Sequence, residues 1–138
     1  MTKPFDIKPY IIKIPRSKKL ADGTWEKTEA EYLPVSARIA WFRTDHKDWG
    51  IETKIEALKE GKVRVRATIY GESIEIISSA IKTGEKAKFG DYIEKAETGA
   101  IGRALSLAGY DLASAPDLDE EDMLANAPIE RKKESKNV

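Results

Sequence analysis

Apolar and polar positions alternate strictly through the middle of the chain. Trp49, Ile51, Thr53, Ile55 and Ala57 fall on one face of an extended segment, and Gly50, Glu52, Lys54 and Glu56 on the other. That period of two is the mark of a half-buried strand. Val63, Val65, Ala67 and Ile69 oppose Arg64, Arg66, Thr68 and Tyr70 in the same way, with the turn-forming Glu60-Gly61 between the two runs and Gly71 after the second. A third run, Ser73 to Ile81, is rich in isoleucine. Connections this short favour an antiparallel meander.

From Asp91 to Ala108 the period becomes helical. Ile93, Ala96, Ala100, Ile101, Ala104, Leu105 and Ala108 share one apolar face. Lys95, Gly99, Gly102 and Ser106 lie opposite, with Arg103 at the border, and Gly109 suits a C-terminal stop. An earlier helix is predicted over Val35 to His46, where Val35, Ile39 and Phe42 recur at helical spacing behind Pro34. Ahead of it, Tyr10 to Ile14 is a β-prone run closed by Pro15, and Asp22-Gly23 signals a turn before Thr24-Trp25, giving an extended arm or a hairpin. The fold class that follows is α+β. A three-stranded antiparallel meander packs with a long C-terminal helix as a β-β-β-α core, preceded by an N-terminal arm and a short helix.

The 138 residues suffice for one domain, and 41% hydrophobic with 35% charged residues describes a charged globular chain. Charge is unevenly placed. Met1 to Ala115 carries 20 basic and 17 acidic residues, a balance of +3, and Pro116 to Val138 carries 4 basic and 7 acidic, a balance of −3. We therefore divide the chain into a domain over 1–113 and an acidic, then basic, tail over 114–138, with room for a short helix at Glu120 to Ala125. The overall balance of 24 against 24 gives no case for indiscriminate binding to polyanions, so a basic site has to be local. With no cysteine, no signal-like N-terminus and no long apolar run, a soluble cytoplasmic protein is expected.

Catalytic chemistry finds little to stand on. His46 is the only histidine and sits in the charged stretch Thr44 to Asp48, the picture of an exposed helix end. No phosphate-binding glycine loop occurs, and the acidic run Asp117 to Asp122 lacks the glycine and closing glutamate of a calcium loop. No enzyme activity, cofactor or metal is expected. The acidic run reads as a solvated linker, or as a segment that recruits basic partners.

Binding chemistry is better supplied. Gly99 and Gly102 each cost a helix about 1 kcal/mol relative to alanine, which points to close packing on another element or to close approach of a polymer backbone. Lys95 and Arg103, eight residues apart, stand roughly 12 Å apart along the helix axis, near the span of two nucleotides. Arg64, Arg66 and Tyr70 form a basic and aromatic row that suits phosphates and a stacked base, or an ordinary solvated sheet face. Trp41 is read as core rather than as a stacking platform. Glu97 falls within the apolar stripe, so a partner is expected, a basic group on the first helix or across a subunit interface.

The run Lys95 to Tyr110, KAETGAIGRALSLAGY, resembles the helix motif of Rad-fifty-two-like single-strand annealing proteins, in particular their bacterial and phage DdrA-type branch. Tyr32-Leu33-Pro34-Val35, Trp41-Phe42-Arg43, Asp45-His46 and Trp49 to Thr53 are similar to that branch's first helix and strand, so the likeness spans Pro4 to Tyr110. It implies oligomeric rings or arcs and ATP-independent binding and pairing of single-stranded DNA in recombination or repair. Lys95 and Arg103 match basic groove positions, and Arg38 falls within a residue or so of another family DNA contact. Gly102 departs from the eukaryotic pattern, which has lysine there. The DNA-binding set implied is Lys95, Arg103 and Arg38, with Arg64 and Arg66 extending the track and Gly99 and Gly102 admitting the backbone. Two alternatives stand beside annealing: protection of DNA ends or single strands, and a protein-interaction module whose acidic tail recruits recombination proteins.

Overall fold

The computed structural model describes residues 4–112; the tail over 114–138 lies outside them. After a single 3-10 turn at Lys8–Tyr10 the order is β1 (Ile12–Lys19), β2 (Trp25–Tyr32), α1 (Val35–Asp45), β3 (Gly50–Lys59), β4 (Lys62–Tyr70), β5 (Ile76–Glu85) and α2 (Tyr92–Leu107). β1 and β2 pair as an antiparallel hairpin, and the other strands form an antiparallel sheet in the order β3-β4-β5. The protein is α+β, and its meander and long helix lie where the two periodicities put them.

The core is built on β4. Val63, Val65, Ala67 and Ile69 point to one side and are buried against Ala96, Ala100, Ala104 and Leu105 of α2, with Phe42 of α1 and Tyr110 closing one end. Alanines at every fourth position give α2 a flat seam, so helix and sheet approach closely. Gly84 on β5 belongs to this fit, because a Cβ there would lie 2.7 Å from the Tyr92 carbonyl oxygen and 3.3 Å from Ala96 Cβ. The nearer atom is backbone and cannot rotate away. Gly84→Ala is expected to cost about 1–3 kcal/mol, seen as a lower urea midpoint at unchanged slope.

Three details depart from the alternation. A bulge between Ile55 and Ala57 shifts the register of β3, so Ala57 faces Arg64 and Leu58 takes the position opposite Val63. Ala57 therefore leaves the face it was expected to share with Ile55. β5 begins three residues later than expected and runs on to Glu85, paired with Lys62. Its start is set by a turn in which the Gly71 N–H donates to the Glu75 carbonyl and Ile74 takes a φ of +64°. Third, Pro15 does not close its strand. It lies within β1 opposite Glu29, tolerated because every second N–H of a strand with one neighbour points away from the ladder.

The Asp22-Gly23 turn holds the hairpin. Gly23 has a φ of +89°, and the Asp22 carboxylate accepts the Thr24 N–H at 2.9 Å and the Thr24 hydroxyl at 2.6 Å. These bonds keep its pKa below the usual carboxylate value. Burial is confined to the base, at Ala30, Tyr32 and the following Leu33.

At the other end of the core Tyr110 stacks edge-on to Trp41 and Phe42, with ring centroids 5.0 and 5.6 Å away. Trp41 thus packs against the core. The Tyr110 hydroxyl donates to Asp45 Oδ2 at 3.0 Å, and burial, with this bond to a carboxylate, pushes the phenol up to about 12. A phenol whose folded-state pKa exceeds its free value near ~10 gives stability that is complete below pH ~10 and lost as pH rises through the folded pKa. Stability should therefore fall between pH 10 and 12, and Tyr110→Phe should flatten that fall in alkaline denaturation curves.

Candidate functional site

Arg38 organises the junction of the elements. Fully buried on α1, it donates from Nε to the Leu33 carbonyl at 2.8 Å, and from Nη1 to the Gly102 carbonyl at 3.1 Å and Ser106 Oγ at 3.0 Å. Asp111 Oδ2 lies 3.5 Å from the same Nη1, and the guanidinium stands 5.4 Å over the Tyr32 ring. One side chain thus ties the base of the hairpin, α1 and the end of α2. Within this chain that places Arg38 in the interior, away from any surface a polymer could follow.

Gly102 is part of the same junction. Its Cβ would lie 2.9 Å from Val35 Cγ2 and 3.5 Å from Arg38 Nη1, so the missing side chain admits α1. Gly99 is also buried, under a different neighbour: Lys82 of β5, whose Cγ, Cδ and Cε would stand 3.0, 3.3 and 3.4 Å from a Cβ at Gly99. Both glycines thus serve packing. The helix is covered on two sides, by the sheet and by α1, which is why the supposed polar face is largely interior and Glu94, Glu97, Thr98 and Leu107 are exposed instead.

The lysine stem over Gly99 changes what α2 presents. Lys95, Gly99 and Arg103 follow one another at i, i+4 spacing on nearly one line, and Lys82 crosses that line at its middle. The Lys95 ammonium stands 4.8 Å over the Phe89 ring, and Arg103 Nη1 donates to the Ile81 carbonyl at 3.1 Å. All three cations are partly exposed. The sequence pattern singled out Lys95 and Arg103 and missed Lys82, because the third strand was ended at Ile81. Carrying the alternation to Glu85 would have set Lys82 on the face toward the helix, opposite Val65.

Arg64 and Arg66 lie on the other face of the sheet. The bulge brings Glu56 between them, with Arg66 Nε 2.7 Å from Oε2 and Arg64 Nε 3.5 Å from Oε1. The hydrogen bond from Arg66 holds the Glu56 carboxyl below its usual range. Arg66 also donates to Ser79 Oγ at 3.0 Å, and the Tyr70 hydroxyl to Glu52 at 3.3 Å. Lys54, Ile55, Glu56, Arg64, Arg66 and Ile81 line a shallow, open depression. The two basic rows meet at Ile81, whose carbonyl holds Arg103 and which pairs with Arg66 across the ladder.

Glu97 has a partner, though not the expected one. Its carboxylate accepts the Thr53 hydroxyl at 2.7 Å from β3, at an exposed position; no basic group of α1 is involved in this bond. His46 caps the end of α1 and stacks on Trp49, with centroids 3.6 Å apart. Among the described residues no group of His, Cys, Asp or Glu is arranged to hold a metal ion, and no helix is long and apolar enough to cross a membrane.

No curated protein and no solved structure matches the chain. A family model described as Slr1353 N-terminal dsRNA-binding domain-like matches residues 39–108. This stretch runs from within α1 through the sheet and α2, and holds Lys82, Lys95, Arg103 and both arginines of the outer face. Because the match takes in half of the chain, with most of the core and both basic rows, the protein belongs to the Slr1353 N-terminal dsRNA-binding domain-like family.

Proposed function

We propose that this protein binds single-stranded nucleic acid along the seam of α2 and β5, through phosphate contacts from Lys82, Lys95 and Arg103. The carrying observation is the Lys82 stem laid over Gly99, which sets three cations in one row. The family description, dsRNA-binding domain-like, supports nucleic acid as the ligand class. The resemblance of Lys95 to Tyr110 to annealing proteins supports single strands and, beyond binding, ATP-independent annealing by an oligomeric ring or arc.

On this reading the row neutralises successive phosphates and releases their counterions. Contacts to phosphates carry no base information, so binding is independent of sequence and weakens with salt. Arg64 and Arg66 extend the track weakly, since Glu56 already shares their charge. Neither step calls for nucleotide hydrolysis or a cofactor.

Fluorescence anisotropy with labelled single-stranded DNA, double-stranded DNA and double-stranded RNA of equal length, over a salt series, tests the reading. A preference for the single strand that declines with salt is expected. Pairing of complementary strands should then be faster with protein than without it and unaffected by ATP, with a mass of several subunits by light scattering. The family description favours a second reading, duplex RNA, which tightest binding to that probe would establish in place of the first. Single-strand binding without faster pairing would reassign the protein to protection of ends or single strands, and binding to no probe would leave the protein-interaction role.

A further inference from the structure

The hairpin carries a group of side chains that neither the core nor the α2 seam uses. The register sets Lys19 opposite Trp25 and Ser17 opposite Lys27, and alternation places all four on one face at the tip. Trp25 is 64% exposed, whereas Trp41 and Trp49 pack against the core. Of the acids nearby, Asp22 holds Thr24, Glu26 lies on the opposite face across from Lys18, and Glu29, farther from the tip on the same face, pairs with Lys13 at 4.0 Å. The tip face thus offers one indole flanked by two lysines on a turn fixed by its own hydrogen bonds, Leu20 N–H to the Thr24 carbonyl at 2.8 Å and Gly23 N–H to the Leu20 carbonyl at 3.0 Å.

We infer that this tip is a second nucleic-acid contact, in which Trp25 stacks on an unpaired base while Lys19 and Lys27 take the phosphates on either side. The inference rests on the nucleic-acid reading above and adds to it a site that recognises bases. A π-face next to paired cations is the chemistry of sequence-tolerant single-strand platforms. A duplex, whose bases are already stacked, offers the indole no partner. The lysines also argue against a docking protein as occupant, since an apolar contact would have to desolvate both ammonium groups.

The test uses the full chain and two probes of equal phosphate number, an oligothymidylate and an abasic strand. Wild type should bind the oligothymidylate more tightly and lose tryptophan fluorescence on binding it. Trp25→Ala should weaken oligothymidylate binding about tenfold and leave the abasic strand unchanged. Trp25→Phe should retain most of the affinity but not the quenching, and Lys19→Ala with Lys27→Ala should weaken both probes alike. Equal loss on both probes with Trp25→Ala, or loss on neither, overturns the inference. So does a changed oligomeric mass with unchanged affinity, which would make the tip an interface between copies. If wild type binds neither probe, both readings fail. If it binds both, and only substitution of Lys82, Lys95 and Arg103 abolishes binding, the seam stands and the tip falls.

Discussion

Arg38→Met is expected to destabilise the fold by about 3–5 kcal/mol, the largest effect of any single substitution considered. Methionine fills a similar volume, so the loss is not a cavity. It comes from the Leu33 and Gly102 carbonyls and the Asp111 carboxylate, which lose a buried donor they cannot replace with water. Replacing a whole buried ion pair is often neutral, but removing one member is not. The double variant Arg38→Met, Asp111→Asn should therefore recover part of the loss, a coupling that a double-mutant cycle in urea would read directly. Arg38→Lys should also be poor, since one ammonium cannot reach acceptors on two sides as the planar fork does. A loss under about 1 kcal/mol in the single variant would mean that the junction is held by apolar packing alone.

Replacing Lys82, Lys95 and Arg103 together with alanine should produce the largest effect on binding. Loss of three phosphate contacts flattens the dependence of log affinity on log salt by about 2 for a single strand. Affinity at low salt should fall about a hundredfold, to the level left by the outer face and the tip. Arg64→Ala with Arg66→Ala should cost less, because Glu56, bridged between those arginines, already takes up part of their charge. If the outer-face pair proves the more damaging, the polymer lies across the sheet and the seam is a structural feature. Circular dichroism has to accompany both, since Arg103 also holds the Ile81 carbonyl at the edge of β5.

The regular elements were legible because each has a single period. The alternation of Val63 to Ile69 and the spacing of Ala96, Ala100 and Ala104 leave one face to bury, and the structure buries it. What escaped the sequence was where a second element covers a first. The Gly102 and Ser106 side of α2 looks polar on a helical wheel, yet α1 comes to rest on it, so the buried group is a guanidinium and the exposed one is Glu97. The same holds for the site. Lys95 and Arg103 could be read from one helix, whereas Lys82 joins them only through a strand 17 residues earlier than Gly99. The bulge at Glu56 left no local mark, so the pairing that tempers Arg64 and Arg66 could not be foreseen.

Anchorage of the hairpin at its base has a mechanical consequence. Its strands have 8 residues each, so the tip stands about 26 Å from the anchor at ~3.3 Å per residue. A pivot of about 10° at Tyr32 and Leu33 would sweep Trp25 through about 4 Å, more than the rise between stacked bases. Arg38 clamps that pivot, touching Tyr32 and Leu33 with one group and Gly102 with another. The hairpin is thus a lever whose fulcrum is bolted to α2, and movement imposed on the helix would be amplified at the far end.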